Sequence, residues 1–177
     1  VVIVIGLCLL IPANPINITV LEQPFGLTLP PPPPTLTLPP PPTREHIGRI
    51  IFTCTRGEYN QLCMINADGT GYQQLTNVEA NNYYPTYSPR GGSIVYASNQ
   101  NGGVFDLFLF IFEGSRLIRL TDFIGNVISP SFSPDGWWVA ANSTVEENED
   151  IFILLRSGGS LTRLTDHPAA DFDPDWD

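Results

Sequence analysis

Four aspartates alternate at the end of the chain: Asp171, Asp173, Asp175 and Asp177. Alternate residues of an extended strand project from one face, so carboxylates at this spacing converge. Ca²⁺ takes about six to eight oxygen ligands, which makes these aspartates candidate calcium ligands. Like charges side by side on one strand face are costly without a metal, and the competing reading is a set of acids in a wet channel or loop. Cys54 and Cys63 form a second constellation. With residues 57–60 as a hairpin loop, Cys54 faces Cys63 and a disulfide is geometrically possible; the alternative is a pair of reduced core thiols. The histidines are His46 and His167. His46 abuts a proline tract, whereas His167 precedes Pro168 in a loop. His167 and Tyr83 are candidates for a ligand-binding face.

Other chemistry is missing. The sequence contains no G-x-S-x-G, C-x-x-C or H-E-x-x-H and no glycine-rich phosphate loop, so it encodes no nucleophile elbow, zinc motif or phosphate cradle. No catalytic residue and no cofactor site is assigned. A formal charge of −10, from 18 acidic residues against 8 arginines and no lysine, repels phosphate backbones and argues against nucleic acid as a partner.

Elements that could position these residues recur with one period. Leu-Thr stands at Leu75-Thr76, Leu120-Thr121 and Leu164-Thr165, in steps of 120 − 75 = 45 and 164 − 120 = 44. A proline recurs at Pro85, Pro130 and Pro174 with the same steps, 45 and 44. Each unit holds up to four strand-like segments rich in β-branched and aromatic residues. Segment A covers 84–88 and 129–133; B covers 50–55, 93–98 and 137–142; C covers 62–66, 107–112 and 151–155; D covers 72–76, 116–121 and 161–165. In Ser133-Pro134-Asp135-Gly136 the proline presets φ and the glycine takes a conformation a Cβ would hinder, so A reverses into B. Four antiparallel strands in a repeat of about 45 residues describe a β-propeller blade.

The S-P-D-G turn, the apolar run after it, Asp150-Ile151-Phe152 and Arg163-Leu164-Thr165 resemble the TolB-like, WD40-like propeller repeats. Looser copies lie at Pro85 to Gly91, Asp106 to Phe108 and Arg119 to Thr121, and the resemblance spans about residues 47–177. Arg90 departs from the pattern in place of the turn aspartate, and Gln61 in place of the aspartate opening segment C. The resemblance implies an all-β chain of three four-stranded antiparallel blades and protein interaction in a cell envelope.

The segments run BCD, ABCD, ABCD, A. Propellers close with about four to eight blades, so three form an open arc. Each uncovered blade face is about 400 Å², on the order of 10 kcal/mol of unburied surface. Either further blades of a longer product or a second copy of the chain is expected to cover it.

Residues 1–11 are apolar and uncharged, which reads as a signal-peptide or truncated membrane-anchor remnant. Residues 12–45 form a proline-rich linker, with nine prolines among the thirteen residues 30–42, a polyproline II spacer. Residues 46–177 carry the blades. The expected function is an extracytoplasmic, periplasmic or cell-surface module whose loops bind a protein, peptide or glycan. The alternative is the gating propeller of a peptidase resembling dipeptidyl peptidase IV, with its catalytic domain elsewhere.

Overall fold

A computed structural model describes residues 48–122, 125–145 and 148–177. The apolar segment, the proline-rich linker and His46 lie outside them. Among the described residues the strands are β1 (Arg49–Arg56), β2 (Tyr59–Asn66), β3 (Gln73–Gln74), β4 (Asn82–Tyr87), β5 (Ser93–Ser98), β6 (Asp106–Ile111), β7 (Arg116–Arg119), β8 (Val127–Phe132), β9 (Trp138–Ser143), β10 (Asp150–Leu155) and β11 (Thr162–Arg163). They form three antiparallel sheets, ordered β1-β2-β3, β4-β5-β6-β7 and β8-β9-β10-β11. The first has three strands because its unit begins at segment B. No helix among the described residues is long and apolar enough to cross a membrane.

Strand alternation sets the stacking. Every residue of β5 is buried, because both faces of the middle sheet are covered. Ile94, Tyr96 and Phe108 pack with Leu62 of the first sheet. Their neighbours Val95, Ala97, Leu107 and Leu109 point the other way and pack with Val127, Phe132, Val139, Ala141 and Leu154 of the third. Burial pushes the Tyr96 phenol well above the ordinary tyrosine range. Packing between sheets runs through β4 and β8, the strands that open the second and third units, as expected for blades radiating from a common axis.

One expected register is corrected. Arg56 pairs with Tyr59 and Cys54 with Gln61, so the β1–β2 turn is Gly57-Glu58. Gly57 makes that tight reversal with φ +61°, a conformation open to glycine at little cost. Cys54 therefore lies diagonal to Cys63, which pairs directly with Phe52.

Candidate functional site

The buried polar groups at the start of segment C explain the recurring motif. Asp106 is fully buried. Its Oδ2 accepts a 2.6 Å hydrogen bond from Arg119 Nη2, and its Oδ1 accepts one from the Thr121 hydroxyl at 2.8 Å. The backbone N–H of Leu107 donates to the same hydroxyl oxygen at 2.9 Å. In the third unit Arg163 donates to Asp150 at 2.5 Å, and the Ile151 N–H donates to Thr165 at 3.0 Å. The first unit keeps only the threonine link, the Leu62 N–H donating to Thr76, while Gln61 Nε2 donates to the Val78 and Ala80 carbonyls in the loop that leads to β4. In the second and third units these motif residues lock the outer strand to its sheet and are structural.

A second device ties each unit to the next. Asn81 Oδ1 accepts the Asn60 N–H at 3.0 Å, and Asn126 Oδ1, 45 residues on, accepts the Phe105 N–H at 2.9 Å. At the following repeat position, Asp171 donates its own N–H to the Glu149 carbonyl at 2.8 Å. The residue before each motif proline adopts a left-handed conformation: Tyr84 at φ 53°, Ser129 at 51° and Asp173 at 54°. Such a conformation costs a non-glycine residue on the order of 1–3 kcal/mol. It accompanies a break in pairing between Tyr83 and Thr86, and another between Ile128 and Ser131.

These bulges build the central wall. The Ser129 hydroxyl donates to Asp173 at 2.7 Å, and the Ser131 hydroxyl donates to Asp175 at 2.9 Å. Tyr84, Thr86, Ser129, Ser131, Asp173 and Asp175 line one cavity of about 250 Å³. The four alternating aspartates do not form one cluster. Asp171 serves the inter-blade link and Asp173 and Asp175 engage serines. Among the described residues no group of three or more His, Cys, Asp or Glu side chains is placed to hold a metal ion. The left-handed residue Asp173 breaks the alternation that sequence reasoning assumed.

Tyr84 also lines an adjoining cavity of about 390 Å³ at the ends of β4 and β8, with Tyr83, Phe105, Asn126, Thr144 and Glu149. Tyr83 stands 5.6 Å from Phe105 and 6.0 Å from Tyr84, centroid to centroid. Its hydroxyl accepts a 2.7 Å hydrogen bond from Asn60 Nδ2, which fixes the ring. Glu149 is oriented by Asn142 Nδ2 at 3.1 Å. This mouth joins aromatic faces to acceptor oxygens. His167 is not among its lining residues; its Nδ1 accepts the Ala169 N–H at 3.0 Å and its carbonyl accepts from Asn148, so it organises its own loop. Sequence reasoning singled out Tyr83 but missed Phe105 and Glu149, whose signal is their shared repeat position as the partners of Asn126 and Asp171 in the inter-unit links.

Cys54 and Cys63 are joined through their sulfurs, with Cα atoms 5.9 Å apart, within the usual span for a disulfide. The Tyr72 hydroxyl lies 2.8 Å from Cys63 Sγ and accepts a hydrogen bond from Arg56.

No family model matches the chain. The uncharacterized protein Atu1656 of Agrobacterium fabrum is 30% identical over 104 residues, 59% of this chain and 35% of that protein. The Tol-Pal system protein TolB of Desulfosudis oleivorans is 29% identical over 124 residues, 66% of this chain and 26% of that protein. The chain thus spans about a third or less of these relatives. Among solved structures, a putative TolB from Agrobacterium tumefaciens superposes with a TM-score of 0.66 at 24% identity, covering 71% of this chain and 45% of that one, a likeness of fold.

Proposed function

Because the chain carries TolB-like β-propeller repeats, we propose that it is a non-catalytic binding module that works outside the cytoplasm and takes a segment of a partner protein or peptide at the mouth. The observation that supports this reading is the aromatic mouth of Tyr83, Tyr84 and Phe105, which adjoins the wall bearing Asp173 and Asp175 through Tyr84. Aromatic faces next to carboxylates suit a segment with a basic side chain, held by cation–π and charge-assisted contacts. Residues 1–11 would direct or anchor the chain, and residues 12–45 would hold the blades off the membrane. The gating-propeller alternative gains no specific support from the described residues.

The test is in cells. Alkaline phosphatase, active only after export, is fused behind residue 47, and a photo-cross-linking amino acid replaces Tyr84 or, as a control on an outer strand, Leu117. Enzyme activity in the fusion, with one protein adduct at position 84 and not at 117, is the expected result. An inactive fusion, or equal adducts at both positions, sinks the proposal.

A further inference from the structure

Three residues depart from the rule of their own repeat, and all three line one cleft at the opposite ends of β4 and β8 from the mouth. Backbone hydrogen bonds fix the correspondence. The N–H of Ala67 donates to Gly48, that of Phe112 to Gly92 and that of Arg156 to Trp137. Trp137 therefore stands where the other units have glycine, and Arg156 where they have Ala67 and Phe112. Ser88 and Ser133 likewise donate their N–H groups to Ser93 and Trp138, which aligns Arg90 with Asp135.

The substitution at 90 has a structural cost. Asp135 Oδ1 accepts the Ser133 hydroxyl at 2.6 Å and the Trp137 N–H at 3.0 Å. The Ser133 hydroxyl and then that N–H hold the carboxyl below its ordinary range. An arginine cannot accept, so the turn at Arg90 forgoes this cap. Phe112 packs with Phe110 and Tyr87, whereas Arg156 puts a guanidinium at the equivalent place. Trp137 is 65% exposed.

Arg90, Trp137, Arg156 and Asp135 line a cavity of about 250 Å³ between the second and third sheets. An adjoining hollow shares Arg90 and Arg156 and adds Arg49. Arg119 and Arg163 are neutralised by Asp106 and Asp150, but Arg90 and Arg156 have no carboxylate partner among the described residues. A chain of charge −10 thus sets two guanidinium groups that have no carboxylate partner among the described residues beside an exposed indole.

We propose that this cleft binds a carboxylated sugar ring. Guanidinium groups bind planar carboxylates by paired hydrogen bonds, and the indole gives a broad apolar face for a ring to lie on. The second carboxylate oxygen of Asp135 accepts a sugar hydroxyl. Inorganic phosphate has no face for the indole, and an acidic peptide brings its carboxylate on a flexible stem without a ring. The cavity is smaller than the ~300–1,000 Å³ of drug-sized sites, which suits one ring. The site is independent of the mouth.

The 177-residue chain is titrated calorimetrically with glucuronate, glucose, inorganic phosphate and the peptide Gly-Glu-Gly. Glucuronate is expected to saturate and to bind at least about tenfold tighter than each of the others. Arg90→Asp and Arg156→Phe restore the residues of the other units, so both variants should fold, as thermal melts will check. Each is expected to weaken glucuronate binding by about tenfold or more. Should Arg90→Asp fail to fold, Arg156→Phe decides alone. The proposal is overturned if glucose binds as well as glucuronate, if phosphate or the peptide binds best, if folded variants keep wild-type affinity, or if glucuronate shows no saturation up to about 50 mM.

Discussion

Asp106 shows what the repeat demands of a single residue. Its side chain is 1% exposed and answers both Arg119 and Thr121, so its buried charge is held by charge-assisted hydrogen bonds. Removing its carboxylate takes the acceptor from the Thr121 hydroxyl and from Arg119, which keeps Asp122 at 2.6 Å, a loss of about 1–3 kcal/mol. Asp106→Ala should therefore lower the unfolding free energy by about 1–3 kcal/mol in urea melts. A loss below about 1 kcal/mol would mark the pair as a surface-type contact. Gln61, at the equivalent position, instead ties the loop before β4 with amide donors to two carbonyls. The departure visible in the sequence thus replaces a charged strand lock by a neutral loop tie, and whether a given aspartate is a lock or a ligand is decided by burial, which spacing alone does not report.

The β1–β2 hairpin shows how far local signals reach. Leu-Thr and the proline-glycine turns placed the sheets and their order, because strand period and turn chemistry are local properties. The register of β1 on β2 depended on the loop being two residues, not four, and both lengths fit the same polar stretch. The left-handed Tyr84, Ser129 and Asp173 were not legible either. None is glycine, and their conformation is imposed by the neighbouring bulge and by contacts between units, as in Ser129 to Asp173. The corrected register makes the Cys54–Cys63 bond diagonal, closing a loop with a sequence separation of 9. Chain-entropy estimates for so short a loop give about 2–3 kcal/mol. The Cys54→Ala, Cys63→Ala double variant should lose about that much stability, and peptide mapping without reductant should recover both cysteines in one linked fragment. Free thiols at both positions would refute the bond.

At the scale of the molecule, equivalent positions have opposite fates in the second and third units. Leu120 is 4% exposed and Leu164, one repeat later, 56%; Val127 is 0% exposed and Phe172 62%. Ile151 and Ile153 are half-buried where Leu107 and Leu109 are fully covered. The residues that seat the third sheet on the second recur on the far flank of the third, where no further sheet covers them among the described residues. A patch this apolar is unusual on a monomer, so we propose that it takes another blade, either from a longer product or from a second copy. The 177-residue chain studied alone should therefore self-associate in sedimentation experiments at about micromolar concentration, through contacts worth on the order of 8 kcal/mol. Leu164→Asp with Phe172→Asp should return it to a monomer. Both side chains are already exposed, so the strand signal in circular dichroism should not change. A wild-type chain that stays monomeric at about 100 µM, where even weak contacts of ~5–6 kcal/mol would show, would mean that the flank is adequately solvated and that the arc needs no neighbour.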